Sequence, residues 1–266
     1  MSANRIDTIR KMEPRSASHG GLSLMIVLAA VVAVLAVAMG AADARESGRA
    51  DRAGERLVPV RNLSDAVRAE VALPRPEHEG MLSVESAVSG RRSVRRFSKE
   101  VVTLEQLSQL LWSAQGVTGD DGFKRAAPSA GALYPMEIFV VAGRVEGLEP
   151  GVYWYVPSSH SLNLLSIGDH RGELSDEALS QECVVNAPVS IVIAGVYERT
   201  MEKYGERGVR YVHIEVGAVA ENVYLQAESL GLGTTLVGAF SDEGVQSVLR
   251  ADVSPLGIMP VGVPLR

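Results

Sequence analysis

An uncharged, uniformly apolar stretch, Leu22–Ala42 (LSLMIVLAAVVAVLAVAMGAA), constrains this chain more than any other feature. In hydrocarbon every backbone N–H and C=O must be bonded within the segment, so such a run crosses a bilayer only as a helix. At about 1.5 Å per residue it reaches across a hydrocarbon core of about 30 Å. A helix buried in a soluble core would keep a polar stripe, and this run has none. Arg5, Arg10, Lys11 and Arg15 make residues 1–21 a basic N-terminal segment, and Ala42-Asp43-Ala44 has the small-x-small spacing of a signal cleavage site. The apolar run exceeds a typical signal core, which favours a single-pass N-terminal anchor over export after signal cleavage. Arg45, Arg49, Arg52 and Arg56 nearly balance the upstream charges; we read the remainder of the chain as lying outside the cytoplasm.

Residues 43–72 carry mixed charge without a sustained apolar period and read as a linker, leading through an arm with Pro74 and Pro76 into one packed domain over residues 73–266. Thr103-Leu-Glu-Gln106 is a capping-box sequence, followed by Leu104, Leu107, Leu110 and Leu111 at helical spacing and Gly116 as a stop. Glu137–Val141 and Ser190–Val196 read as buried strands, Thr234–Phe240 and Gly257–Val263 as two more, with a short helix from Ser241 to Arg250 between them. The longest element is a helix over Val209–Leu230, closed by Gly231. It has one apolar stripe of Val212, Val216, Val219, Val223, Ala227 and Leu230, and a second of Ile214, Ala218 and Leu225. A helix apolar on two sides is central in its domain or lies at a subunit interface. Helices and strands intermix without regular βαβ alternation, so the expected class is α+β with a mixed sheet flanked by helices.

Several functions are excluded early. A balance of 26 Lys+Arg against 32 Asp+Glu, net −6, argues against a general nucleic-acid binder, which needs a basic face. One cysteine, Cys183, permits neither an intrachain disulfide framework nor a Cys-based zinc cluster, and the five histidines lack metal-ligand spacing. His213, beside the apolar face of the long helix, reads as a satisfied core histidine. Neither a P-loop nor a G-x-S-x-G elbow is present.

Four segments remain as candidates for chemistry. Arg91-Arg92-Ser93-Val94-Arg95-Arg96-Phe97 concentrates guanidinium groups and a hydroxyl suited to a dianionic phosphate, or forms a solvated basic patch. Pro128-Ser-Ala-Gly-Ala-Leu-Tyr-Pro135 lets a backbone approach a flat ligand, or is a tight turn into the next strand. Arg199-Thr-Met-Glu-Lys203-Tyr204 sets Lys beside Tyr, an acid/base pair or part of a charged surface. Gly231-Leu-Gly233-Thr-Thr-Leu-Val-Gly238-Ala239-Phe240 is no dinucleotide fingerprint, because it leaves a helix rather than a strand.

In this order and spacing, RRSVRRF, AAPSAGALYPMEIFVV, ERTMEKYGERGVRY and ESLGLGTTLVGAF resemble the flavin-dependent nitroreductase superfamily, most closely its SagB/ThcOx-type dehydrogenase branch, from about Leu73 to the C-terminus. The resemblance implies a homodimer with FMN in clefts at the subunit interface and a long central interface helix. It implies that Arg91, Arg92, Ser93 and Arg95 hold the FMN phosphate and ribityl chain. Ser129, Ala130 and Gly131 would line the cofactor, and Gly238 and Ala239 would offer N–H groups to the flavin N5 and O4 edge. Lys203 and Tyr204 occupy the position of the pair that deprotonates substrate in azoline-oxidising members. Hydride would pass through flavin N5, from a small-molecule or peptide substrate or from a donor such as NAD(P)H, a quinol or a redox protein. Alternatives are a SagB-like azoline oxidase of peptide tailoring and a non-catalytic flavin-binding or scaffold dimer. The last is motivated by Val263, which stands where nitroreductases usually carry a basic residue, leaving only Arg266 as a substitute. Ala132 likewise replaces an Asn common in nitroreductases.

Overall fold

The computed structural model describes residues 57–119 and 122–265, all within one compact unit, Gly48–Arg266. Leu22–Ala42 and Arg266 lie outside the described residues. Among those described, no helix is long and apolar enough to cross a membrane.

A seven-stranded sheet organises the domain. Its strands are β2 (Ala69–Ala72), β3 (Met136–Ala142), β4 (Gly151–Val156), β5 (Ser161–Ile167), β6 (Val189–Gly195), β7 (Gly233–Thr234) and β9 (Ser254–Gly262), in the order β2-β5-β4-β3-β6-β9-β7. Two-residue strands β1 (Val58–Pro59) and β8 (Ala251–Asp252) pair with each other in parallel outside it. All six ladders of the main sheet are antiparallel, where a mixed sheet was expected. Short links between β3, β4 and β5 permit only hairpin returns, since parallel neighbours need a long crossover.

The central strands β3 and β6 are buried at every residue, which is why they read as continuous apolar runs. Period-two alternation sends Ile138 and Val140 to one face and Phe139 and Val141 to the other. Helix α2 (Leu104–Gln115) and the long helix α6 (Arg207–Ser229) cover the first face. Helices α3 (Arg171–Glu177), α4 (Glu182–Asn186) and α7 (Asp242–Leu249), with a 3-10 turn over Val60–Ala66, cover the second. The capping box of α2 forms: Gln106 N–H donates to Thr103 Oγ1 at 3.2 Å, and Thr103 N–H to Gln106 Oε1 at 3.0 Å.

The first stripe of α6 is buried from Val212 to Ala227, whereas Ile214 of the second is 63% exposed in the single chain. Two expectations need correction. Thr234–Phe240 is not one strand: β7 stops at Thr234, and only Val237 bridges back, to Ile258. The cause is a side chain of α6, since Tyr224 OH accepts the Leu236 N–H at 2.7 Å. His213 is exposed rather than in the core, and its Nε2 lies 2.6 Å from Tyr197 OH. Residues 58–72 are threaded into the fold: Leu63 is fully buried, and β2 extends the sheet edge against β5.

Candidate functional site

The structure gathers the candidate residues into two clusters along α6. The first lies near its N-terminal end. Helix α5 (Tyr197–Tyr204) stops at Gly205, whose φ of +56° few side chains tolerate, and turns back onto α6. Gly208 makes this corner possible, because a Cβ there would sit 2.9 Å from the Met201 backbone. The corner presents Lys203 and Tyr204 to the Ser129–Tyr134 turn. A Cβ on Gly131 would lie 2.6 Å from Tyr204 OH and 3.0 Å from Lys203 Nζ. Lys203 Nζ also sits 5.4 Å above the Tyr204 ring, which packs edge-on against Tyr211 at 5.0 Å.

That turn is conformationally costly. Gly131, Ala132 and Tyr134 all have positive φ (64°, 54° and 47°), two of them without the freedom of glycine. Tyr134 N–H donates to Ser129 Oγ at 2.9 Å, and the Tyr134 ring is held between Phe123 (5.5 Å, edge-on) and the Arg125 guanidinium (5.6 Å). Beneath it lies Glu215 on α6, only 3% exposed. Burial raises its carboxyl to about 7, against hydrogen bonds from Ser129 and Gln115 that favour ionisation. Gln115 Nε2 donates to Glu215 Oε1 at 3.3 Å.

Arg199 ties α5 to the same turn. Its Nη1 donates to the Tyr134 carbonyl at 3.0 Å and its Nη2 to Glu137 Oε1 at 2.5 Å, while Trp154 Nε1 reaches Glu137 Oε2 at 2.7 Å. Glu137 lies on buried β3, so removing Arg199 leaves its carboxylate half-paired. Arg199→Met is expected to destabilise the domain by about 2 kcal/mol, read as a lower urea midpoint.

The second cluster lies one to two turns from the C-terminal end of α6. Helix α1 (Val84–Gly90) abuts α6 at Gly90, over which the flexible Glu228 side chain lies. The Arg91 guanidinium then stacks over Tyr224 at 5.1 Å and approaches Glu221 at 4.0 Å. Arg92 folds back onto the end of α1, its Nη1 donating to the Ser89 and Arg91 carbonyls at 2.9 and 2.8 Å. Ser93 Oγ lies 3.4 Å from Tyr224 OH, and Val94 N–H donates to the Thr234 carbonyl at 2.9 Å. Arg95 is exposed, and its charge opposes the rise that burial imposes on the Cys183 thiol. Gly238 and Ala239 are exposed at the end of the same edge segment, where Gln181 Nε2 donates to the Ala239 carbonyl at 3.0 Å.

A flat, phosphate-bearing cofactor suits this chemistry. The Thr234 and Thr235 hydroxyls beside the arginine segment are buried without a hydrogen-bond partner. The space above Gly238 is open, with nothing within 4 Å of a Cβ built there. Val263 does not enlarge the clamp: its carbonyl accepts the Ser98 N–H at 2.8 Å, and the tail continues to Leu265, whose N–H donates to the Arg96 carbonyl at 2.9 Å.

Sequence reasoning missed Glu215, Tyr224, Thr234 and Thr235. Glu215 had a signal, being an acidic residue three positions after Val212 on the buried stripe. Tyr224 had none, because its partners come from segments distant in sequence.

The profile of the Nitroreductase family matches residues 88–263. A nitroreductase-type protein of Methanocaldococcus jannaschii is 47% identical over 193 residues, covering 73% of this chain and 96% of its own. The microcin B17-processing protein McbC of Escherichia coli is 25% identical over 220 residues, covering 78% and 80%. Among solved structures, a nitroreductase-type protein of Ralstonia eutropha aligns with a TM-score of 0.64 at 27% identity, over 74% of this chain and 90% of its own. A chain of the E. coli microcin synthetase complex, solved with truncated pro-MccB17 bound, shares the fold at 23% identity with a TM-score of 0.58, over 86% and 93%. With residues 88–263 matched and a relative 47% identical over 73% of its length, this chain belongs to the nitroreductase family.

Proposed function

We propose that the protein is an FMN-dependent two-electron oxidoreductase acting as a homodimer, tethered to or exported across a membrane through Leu22–Ala42. The observation that carries this reading is the convergence of Lys203 Nζ and Tyr204 OH on the Gly131 turn. In this reading Arg91, Arg92, Ser93 and Arg95 hold the phosphate and ribityl chain, and Ser129, Ala130 and Gly131 line the ring. Gly238 and Ala239 offer N–H donors where negative charge develops. FMN, when bound, supplies the acceptor and donor of two electrons. Lys203 and Tyr204 take a proton from a substrate carbon next to a heteroatom as hydride leaves the neighbouring carbon, and a double bond forms between the two.

Two observations support a second copy of the chain. The candidate residues fall into two clusters joined only along α6, and the α6 face bearing Ile214 is uncovered, as are Val84 and Val88 of α1. Packing two such faces together buries apolar surface and sets one chain's arginine segment beside the partner's turn.

A narrower reading, an azoline oxidase of peptide tailoring, is favoured by the Lys203-Tyr204 pair together with the likeness to the microcin-processing protein. The electron partner is NAD(P)H, a quinol or a redox protein. The full-length protein, purified in detergent, is expected to carry flavin absorbance. Replacing both Arg91 and Arg95 by Ala should weaken FMN binding about a hundredfold by flavin fluorescence titration. A folded, colourless protein that ignores added FMN refutes the assignment and leaves a scaffold dimer.

A further inference from the structure

The reaction proposed above makes no use of Glu215, although this is a buried carboxyl next to the turn on which that reaction depends. Two donors converge on Glu215. Gln115, at the end of α2, donates to Glu215, which is also bonded to the Ser129 hydroxyl. Ser129 Oγ accepts the Tyr134 N–H and so closes the turn. Between Ser129 and Tyr134 lie Gly131 and Ala132, both at positive φ, and Gly131 faces Lys203 Nζ and Tyr204 OH.

We propose that Glu215 is the positioning residue of the Lys203–Tyr204 pair, fixing the Ser129–Tyr134 turn from below as an uncharged carboxylic acid. The proposal rests on the reading of Lys203 and Tyr204 as the proton-handling groups. Its geometry stands independently of any cofactor. No charged side chain is among the groups that shift Glu215. On α2 it meets the neutral amide of Gln115, and on the turn it meets Ser129. Tyr134 carries Arg125 on its ring, Tyr211 lies one turn back on α6, and Lys203 and Tyr204 stand beyond Gly131. A buried carboxyl without a cation holds its proton to higher pH than an exposed one, here up to about 7. Held neutral, it places no anion under the turn. Once ionised, it opposes negative charge arriving above the turn.

The test uses the full-length, FMN-loaded protein in detergent, with Glu215→Gln and Glu215→Ala, from about pH 5 to about pH 9. The first readout is the near-ultraviolet circular dichroism of the tyrosines around the turn, which needs no cofactor. The second is the FMN dissociation constant from flavin fluorescence. In the wild type both should change in one protonic step with a midpoint of about 7, and FMN affinity should fall roughly fivefold through it. Glu215→Gln should keep the low-pH tyrosine signal throughout and remove the step, leaving only the titration of the FMN phosphate common to both proteins. Glu215→Ala, if folded by far-ultraviolet dichroism, should lose the low-pH signal at every pH. A step that survives in Glu215→Gln overturns the proposal, as does a wild type without one. If FMN does not bind at any pH, the oxidoreductase reading falls, and the tyrosine signal still decides the role of Glu215.

Discussion

Replacing Lys203 by Met, or Tyr204 by Phe, should slow the loss of flavin absorbance driven by a thiazoline-bearing peptide about 10²–10³-fold. Absorbance loss driven by NADH should stay within about threefold. The difference follows from what each reductant must give up. A nicotinamide releases hydride without prior loss of a proton, whereas an azoline ring must lose a proton from one carbon as well as hydride from its neighbour. Met keeps the stem of Lys203 against the Tyr204 ring, and Phe keeps the edge contact with Tyr211, so packing is preserved while the proton-handling atoms are removed. Equal losses with both reductants would mean that the pair only shapes the site. No loss with either would remove it from the chemistry.

The next largest effect is expected in stability against pH, again through Glu215. Its carboxyl titrates near 4.5 in the unfolded chain and near 7 in the folded one. A raised folded pKa means that the native state binds the proton more tightly. The resulting stabilisation is complete below about pH 4.5 and is lost as pH rises through about 7, in total about 3 kcal/mol. Burial pushes His160 down, which acts in the opposite sense: that contribution is present above the ordinary histidine range and lost on acidification. The two overlap, so the informative quantity is the difference between wild type and Glu215→Gln in urea unfolding at each pH. That difference should shift in favour of Gln by about 3 kcal/mol from acid to alkaline conditions. A flat difference would mean that the wild-type carboxyl ionises as readily as an exposed one.

How far the sequence carried differs from element to element, for physical reasons. Strands β3 and β6 were legible because burial on both faces demands unbroken apolar residues. Helix α2 announced itself by its capping box and α6 by its stripe, with the observed end at Ser229 one residue short of the expected one. Edge strand β2 was not legible, because only Val71 of Ala69–Ala72 is even partly buried, leaving no alternation to detect. The break after β7 was hidden for another reason: it depends on one hydrogen bond from Leu236 to Tyr224, on a different element. Within the candidate site, local chemistry singled out the arginine segment, the small-residue turn and the Lys-Tyr pair. Their division into two clusters depends on where α6 carries Glu215 and Tyr224, which no window of sequence contains.

The entry of the chain also has a mechanical side. Tension arriving from upstream reaches β1 first, held beside β8, and then Leu63, which is fully buried. Only after these yield does the pull reach β2, at the sheet edge opposite β7. Extracting Leu63 alone costs about 1.5–3 kcal/mol. Under the proposed anchoring through Leu22–Ala42, residues 58–66 would act as a strain relief, yielding before the sheet edge at β2 is loaded.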